Sequence, residues 1–321
     1  MPILSIRHAT TYTYANPVAL GEHRMMFRPR DGHDLNILNS SLEITPEPVE
    51  LRWLHDVFGN SVALAKFSGR TRRLHFESML TLEHLPITGL LFSVDDGARR
   101  YPFAYEEDEL PDLLPSIERQ YSDPEGQLNR WARRFLDAEG GAETVDMLAA
   151  MTHAIKREFA YIRRERMGVQ EPLQTLALGT GSCRDFAVLM IEAVRCLGLA
   201  ARFVSGYLYV PDSDREGHVG GGATHAWVRV YLPGAGWVEF DPTNGLLAGR
   251  NLIRVCSART PEQAVPIAGG FIGGQNDFRA LTVDVAVTVG GLAAPQQSAV
   301  QAGSSSSASP TEISPPSTTS A

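Results

Sequence analysis

The first ninety residues follow a strand-like pattern of apolar and polar positions. Short β-branched and aromatic runs are separated by turn signals such as Arg30-Asp31-Gly32 and Phe58-Gly59-Asn60. No convincing apolar stripe with the 3.6-residue period of a long helix is visible in this region. The pattern therefore predicts an all-β N-terminal domain over residues 1–90, of the sandwich type.

Helical periodicity begins after a polar, acidic segment, and we interpret residues 91–110 as a linker. Helices are predicted over residues 111–121, 123–136 and 144–159. The third has the clearest apolar face, and the same face carries Val145, Leu148, Met151 and Ile155. The switch from strand-like to helical periodicity indicates a second domain, which we expect to span residues 111–290.

A further helix, predicted over residues 183–197, is apolar on nearly all sides and therefore typical of a buried helix. Ser182 and Asp185 have the spacing of a capping box, which places Cys183 at the first helical position. The positive end of the helix dipole favours a thiolate there. Cys183 is thus either a small buried packing residue or a nucleophile. Cys196 and Cys256 are interpreted as inert packing residues.

Extended segments follow over residues 201–210, 225–232, 237–241 and 279–289. Residues 225–241 have the pattern of a β-hairpin, in which His225 and Trp227 share one face. Asp241, at the end of the return strand, reaches that face only in certain registers.

The register of this hairpin decides whether Asp241 can meet His225. If Leu232 pairs with Trp237, Asp241 faces away from the histidine. If Tyr231 pairs with Trp237, Asp241 lies diagonal to His225 on the same face, within reach of a hydrogen bond. The second register needs a five-residue loop or a one-residue bulge. We expect this second register, because a nucleophilic thiol needs a base and a group that orients the base.

Composition excludes several classes of protein. The 321 residues carry a net charge of −8 with no separate basic block, which argues against nucleic-acid binding. No apolar run reaches the length of a membrane span, and the N-terminus has the pattern of a first strand rather than a signal peptide. Three cysteines at scattered spacing form neither a disulfide framework nor a metal knuckle, so we expect a cytoplasmic protein without a metal or cofactor. The Ser/Pro-rich residues 291–321 are predicted to be disordered.

The segments GSCRDFAVLM, RCLGLAARFVSGY and HAWVRVYLPGAGWVEFDPT resemble the bacterial transglutaminase-like proteins, a branch of the papain-like cysteine enzymes. The first ninety residues also resemble the β-region that accompanies such domains. The resemblance implies an α+β fold, in which a cysteine-bearing helix packs on an antiparallel sheet. It further implies acyl transfer through a thioester, with Cys183 as the nucleophile, His225 as the general base and then acid, and Asp241 as the residue that orients His225.

The expected substrates are proteins or peptides, attacked at a peptide, isopeptide or glutamine amide. The backbone N–H of Cys183 is the first candidate for the oxyanion hole, and Trp227 and Tyr161 are candidates for the second donor. Hydrolysis is favoured over transfer to an amine, because water is always present and the sequence shows no acidic pocket for an amine. Three alternatives stay open at this point: a transglutaminase proper, a zinc site formed by the same three residues, and a catalytically silent scaffold.

Overall fold

The computed structural model describes residues 3–85, 93–164, 168–210, 223–247 and 251–290. The segment 291–321, which the sequence predicts to be disordered, lies outside the described residues. Five helices are described: α1 (Leu110–Ile117), α2 (Gln127–Arg133), α3 (Thr144–Glu158), α4 (Pro172–Leu178) and α5 (Cys183–Cys196). The described strands, in chain order, are β1 (Ile3–Leu20), β2 (His23–Met25), β3 (Leu35–Thr45), β4 (Glu50–His55), β5 (Ser61–Lys66), β6 (Thr71–His84), β7 (Arg100–Tyr101), β8 (Ala142–Glu143), β9 (Ala160–Tyr161), β10 (Thr180–Gly181), β11 (Ala201–Leu208), β12 (His225–Leu232), β13 (Gly236–Asp241), β14 (Leu246–Leu247), β15 (Leu252–Ala258), β16 (Ile267–Ala268), β17 (Phe271–Ile272) and β18 (Phe278–Val289).

The N-terminal region is a sandwich of two sheets. One sheet has the order β17-β1-β6-β3, with β18 also paired to β1, and the other has the order β16-β2-β5-β4. Alternate residues of each sheet meet in a shared apolar interior, which includes Val18 and Phe76 from the first sheet and Met25 and Ala63 from the second. The strand-like pattern of the first ninety residues is thus explained by a two-layer β structure.

The last strands of the chain belong to this sandwich. Strand β18 runs antiparallel beside β1 from Leu4 opposite Val289 to Tyr14 opposite Phe278. Strands β16 and β17 pair with β2 and β1. These pairings correct the expectation that residues 111–290 form one domain, because residues 267–289 contribute strands to the sandwich. Periodicity identifies a strand, but the identity of its pairing partner depends on long-range contacts that periodicity does not contain.

The second region has a five-stranded antiparallel sheet with the order β14-β13-β12-β11-β15. Helix α5 packs against β11 and β12 and is surrounded by α2, α3 and α4. Leu189 and Val194 of the helix share a buried apolar cluster with Phe203 and Val228 of the sheet. A helix that is apolar on nearly all sides requires such an enclosure, so the α+β class and the central position of α5 are confirmed.

Two local expectations need correction. The expected linker over residues 91–110 is partly packed, because Ala98 and Tyr101 are buried in the same cluster as α5. Helix α2 is shorter than predicted, because Asp123 does not begin it. Asp123 instead lies in the loop before α2, and its carboxylate accepts hydrogen bonds from the backbone N–H groups of Leu128 and Asn129. Helix α4 and strand β15 were not predicted.

Buried polar contacts join the two regions. The His8 ring on β1 lies 2.9 Å from the hydroxyl of Tyr207 on β11. The side-chain amide of Asn60 donates to the backbone oxygen of Ser257 and accepts its N–H, both at 2.9 Å. Among the described residues, no helix has both the length and the apolar character needed to cross a membrane.

Candidate active site

Cys183 is the first residue of α5 and is nearly buried, with 8% of its surface exposed. The chain reaches it through β10, which pairs in parallel with β9 and brings Tyr161 opposite Gly181. Ser182 precedes the helix with an extended backbone. At the first helical position, the backbone N–H of Cys183 has no acceptor within its own helix and faces outward from the helix end.

Asp185 holds this helix start in place. Its Oδ2 accepts both the backbone N–H and the hydroxyl of Ser182, each at 2.8 Å. Its Oδ1 accepts the Arg164 guanidinium and the backbone N–H of Gln170, each at 2.7 Å. Asp185 is fully buried. These four hydrogen bonds compensate its desolvation and fix the turn on which Cys183 stands.

The hairpin adopts the register that the sequence favoured. Tyr231 lies opposite Trp237, and Val228 lies opposite Phe240. The connection is shorter than the expected five residues, because Leu232 and Gly236 also pair and only residues 233–235 remain unpaired. Gly234 in this connection has a φ of 80°, which residues with a side chain rarely adopt.

This register brings His225 and Asp241 together. The Nε2 atom of His225 lies 2.8 Å from Oδ2 of Asp241, and both side chains are fully buried. Asp241 has further donors: the amide of Asn244 donates to Oδ2 at 2.9 Å, and the backbone N–H of Thr243 donates to Oδ1 at 2.9 Å. Because every one of these partners donates, the carboxylate is held as an anion.

His225 and Asp241 strongly affect each other's pKa. Burial lowers the pKa of His225, but the charge and hydrogen bond of Asp241, together with the Cys183 thiol, outweigh burial and raise that pKa to about 10. Burial alone raises the pKa of Asp241, but the imidazolium and the donors around the carboxylate keep it below its usual range. Both shifts favour the imidazolium form of His225 next to an ionised Asp241.

The second ring nitrogen of His225 is left for the thiol. Nε2 is occupied by Asp241, and the Cys183 thiol is close enough to raise the pKa of His225. Nδ1 is buried and makes no hydrogen bond of ordinary geometry with any described residue. The indole of Trp227 is stacked against the imidazole, with ring centroids 5.9 Å apart. The imidazole is thus held from two sides, with Nδ1 available for proton transfer.

The two candidate oxyanion donors differ in their surroundings. The Nε1 atom of Trp227 is buried and has no hydrogen-bond partner among the described residues. Burial raises the pKa of Tyr161, and the neighbouring Cys183 thiol raises it further, which places the phenol within the electrostatic range of the thiol. Arg163 and Arg184 act on Tyr161 in the opposite direction.

The other two cysteines have no such environment. Burial raises the pKa of Cys196 to about 11 and that of Cys256 to about 12. Neither pKa is affected by a histidine, and their thiols stay protonated at neutral pH. Among the described residues, no three His, Cys, Asp or Glu side chains are grouped so that they could hold a metal ion.

Several supporting residues were not found from the sequence. Asn244 holds Asp241, and Lys156 on α3 donates to the backbone oxygen of Asn244 at 2.6 Å. Arg164 neutralises Asp185. The turn DPTN after β13 is the only local signal for Asn244, because a buried carboxylate before a turn accepts donors from the residues that follow it. Lys156 and Arg164 come from distant segments and leave no local signal.

The fold and the site together define a class: an α+β protein in which a helix-start cysteine meets a buried His–Asp pair on an antiparallel sheet. Residues 4–83 match the family described as the bacterial transglutaminase-like N-terminal region, and residues 130–242 match the transglutaminase-like superfamily. Residues 130–242 therefore form a transglutaminase-like core, and residues 4–83 form the N-terminal region that the first family describes.

Individual relatives agree with this assignment. An uncharacterised protein of Mycobacterium tuberculosis is 25% identical over 298 residues, covering 87% of this chain and 91% of that protein. A crystal structure from Cytophaga hutchinsonii, of a protein described provisionally as a cysteine protease, has a TM-score of 0.62 and 20% identity, and covers 89% of this chain and 91% of its own. At this level of identity, the second match shows the shared fold.

Proposed function

We propose that the protein is a thiol-dependent acyl-transfer enzyme that attacks amide carbonyls in peptides, isopeptides or glutamine side chains. Cys183 is the nucleophile, His225 carries the proton and Asp241 orients His225. The observation that carries the proposal is the 2.8 Å contact between Nε2 of His225 and Asp241, which leaves Nδ1 for the thiol. The transglutaminase-like core supports a thiol enzyme at the family level.

In the proposed first half-reaction, Sγ of Cys183 attacks the carbonyl carbon, and the π electrons of the carbonyl move to its oxygen. The tetrahedral species collapses as the C–N bond breaks, and Nδ1–H of the His225 imidazolium protonates the departing nitrogen. The products are a thioester on Cys183 and an amine or ammonia. The raised pKa of His225 suits this role, because the proton is already on the ring at neutral pH.

In the second half-reaction, water attacks the thioester while His225 accepts its proton. Collapse of the second tetrahedral species breaks the C–S bond and releases the acid and the thiolate. Charge on the carbonyl oxygen is stabilised by the backbone N–H of Cys183 and by a second donor. Tyr161 is better supported for this second role than Trp227, because the Cys183 thiol acts on Tyr161.

Hydrolysis is favoured over transfer to an amine. Two guanidinium groups, those of Arg163 and Arg184, lower the pKa of Tyr161. Positive charge near the thiol disfavours the approach of a protonated amine, whereas water is not affected and is always present. A transglutaminase proper is the second candidate, because the same thioester could be captured by a neutral amine.

Incubation of the protein with a peptide library, with and without added amine, tests the proposal. We expect cleaved or deamidated products from the wild type and none from Cys183→Ala. Amine adducts at the expense of hydrolysis would identify a transglutaminase instead.

Iodoacetamide labelling gives a readout that does not depend on the substrate. We expect rapid alkylation of Cys183, while Cys196 and Cys256 react slowly because burial keeps them protonated. Equal, slow labelling of all three cysteines would favour the silent scaffold. The peptide substrate and the cytoplasmic location stay predictions.

A further inference from the structure

Strand β4 lies at the edge of the smaller sandwich sheet and is exposed along its whole length. Its only strand partner among the described residues is β5. Of the thirteen exposed large apolar side chains in the described part of the chain, five lie between residues 49 and 57, namely Val49, Leu51, Trp53, Leu54 and Val57. An apolar cluster on an unpaired sheet edge is a typical site for pairing with another strand.

Two apolar residues of β4, Leu51 and Trp53, continue the interior face of the sandwich beyond the point where the opposite sheet covers it. Leu51 pairs with Ala65 and Trp53 pairs with Ala63, and both alanines are fully buried in the sandwich interior. Paired residues point to the same side of a sheet. Leu51 and Trp53 therefore face the interior side, yet they are 41% and 46% exposed. An open groove of about 480 Å³ lies beside Trp53, between β4 and the β3 residues Ser40 and Leu42.

The backbone of β4 limits the registers in which a second strand can pair with it. The N–H of Asp56 donates to the oxygen of Asn60 at the end of the β4–β5 pair. Because these bonds alternate along an antiparallel pair, Glu50, Arg52 and Leu54 face β5, whereas Leu51 and Trp53 direct their backbone groups to the free edge. A second copy of β4 can match these groups antiparallel with a twofold axis at residue 51, 52 or 53.

Charge selects one of these three registers. With the axis at residue 51, Glu50 faces the partner's Arg52 and Leu51 faces the partner's Leu51. Val49, which precedes β4 and donates its N–H to the oxygen of Lys66, offers the partner's Trp53 only its backbone oxygen. With the axis at residue 52, two Arg52 side chains face each other. With the axis at residue 53, Glu50 faces the partner's Asp56. Opposite charges across a strand pair are favourable and like charges are unfavourable, so only the first register is complementary.

We propose that two copies of the chain associate through antiparallel pairing of their β4 strands, about a twofold axis at Leu51, so that their two four-stranded sheets become one. The second copy is the occupant for which the edge itself supplies charge complementarity. The pairing is short and buries less than the roughly 1,200–2,000 Å² of a standard interface, so we expect a reversible, concentration-dependent dimer. The inference is independent of the proposed catalysis.

Sedimentation velocity of the full chain over micromolar concentrations tests the proposal. We expect a monomer–dimer equilibrium in the wild type. Arg52→Glu places two acidic side chains opposite each other on both sides of the axis and should weaken dimerisation by about tenfold or more. The double variant Glu50→Arg/Arg52→Glu restores opposite charges in the proposed register and should recover the dimer.

Recovery in the double variant distinguishes the registers, because an axis at residue 52 would leave two like-charged side chains facing each other. Glu43→Arg, an exposed charge reversal on the neighbouring strand β3, is the matched control and should leave the dimer unchanged. Leu51→Lys, which places two lysines at the axis, gives a second test that leaves the ion pair between Glu50 and Lys66 intact. A monomer at all concentrations, a dimer unaffected by Arg52→Glu or Leu51→Lys, or a double variant that stays monomeric would overturn the proposal.

Discussion

Two buried histidines, one in each region of the molecule, have opposite chemistry. His225 and His8 are both almost completely inaccessible, at 1% and 2% exposure, and both lie on strands. The pKa of His225 is raised to about 10, whereas burial lowers the pKa of His8 to about 3. Burial alone therefore does not decide the charge of a histidine.

The difference lies in the hydrogen-bond partners. His225 contacts the carboxylate of Asp241, which compensates the cost of a buried positive charge. In the described part of the chain, the His8 ring has only the hydroxyl groups of Tyr207 and Thr10 as hydrogen-bond partners, at 2.9 and 3.1 Å. Hydroxyl groups can satisfy a neutral imidazole, but they offer no charge to stabilise a protonated one. His225 is suited to proton transfer, and His8 is suited to joining β1 to β11 as a neutral group.

The largest effect is expected when His225 is replaced, and that effect is on catalysis. His225→Gln removes the proton carrier and should lower kcat/KM on the peptide substrate by about 10³-fold, within the range of general acid–base contributions. The same variant should slow alkylation of Cys183 by iodoacetamide at neutral pH. His8→Gln is the matched control and should leave both rates unchanged. Equal losses in the two variants would contradict the distinction between the two sites.

Asp241→Asn removes the negative charge that makes the pKa of His225 differ from that of His8. We expect kcat/KM to fall by about 10²-fold or more, because the imidazolium loses its counter-ion and its orientation. His225 should then lose its proton at a lower pH, so the alkaline limb of the pH–rate profile should move down by more than about one pH unit. Asp96→Asn, at an exposed carboxylate, is the control. An unshifted alkaline limb would show that Asp241 does not set the titration of His225.

The pairing of His225 with Asp241 could be predicted from the sequence because a hairpin is a local structure. Side chains alternate with a period of two, so the loop length alone decides whether the two residues share a face. The start of α5 could be predicted for the same reason, because its capping residues lie within three positions of each other. The elements that carry the proposed Cys–His–Asp triad therefore have their sequence signals within short segments.

The contacts of His8 and the return of β18 to β1 could not be predicted in this way. His8 is 199 positions from Tyr207, and Leu4 lies opposite Val289. Each strand shows its own alternation, but many strands of similar pattern compete for the same neighbour, and packing of the whole chain decides between them. The hydrogen bonds that Gln170 and Arg164 donate to Asp185, from 15 and 21 positions before it, could not be predicted for the same reason.

The two histidines should also affect the pH dependence of folding stability, His8 in the acid range and His225 in the alkaline range. An unfolded His8 takes up a proton as the pH falls below about 6.5, whereas the folded side chain does so only near a pH of about 3. Folding is therefore disfavoured increasingly between these values, by up to about 1.4 kcal/mol per pH unit. His8→Gln should flatten this acid limb in denaturant titrations, relative to the exposed control His33→Gln. An unchanged slope would mean that His8 is protonated in the folded protein.

For His225 the sign is reversed, because its folded pKa is raised. Its contribution to stability is fully present below about 6.5 and is lost as the pH rises through about 10. We therefore expect His225→Gln to flatten the alkaline limb and to leave the acid limb mostly unchanged. Denaturant midpoints measured between neutral pH and a pH of about 10 test this. A steeper alkaline limb in the variant would contradict the raised pKa.

The smallest expected effects concern the residues that support Asp241. Asn244→Ala removes one donor from Oδ2 but leaves the Thr243 N–H on Oδ1, so kcat/KM should fall by only about tenfold. Lys156→Met acts one step further away, through the backbone oxygen of Asn244, and should cost only a few-fold.

A double-variant comparison separates positioning from a general loss of stability. If Asn244 acts through the carboxylate, Asn244→Ala should have little further effect on kcat/KM once Asp241→Asn is present, because the charged acceptor that it positions is gone. If the two losses multiply instead, Asn244 acts independently of Asp241. In that case, the alkaline limb of the pH–rate profile should stay in place in Asn244→Ala. A positioning role requires instead that this limb shifts in the same direction as in Asp241→Asn, by a smaller amount.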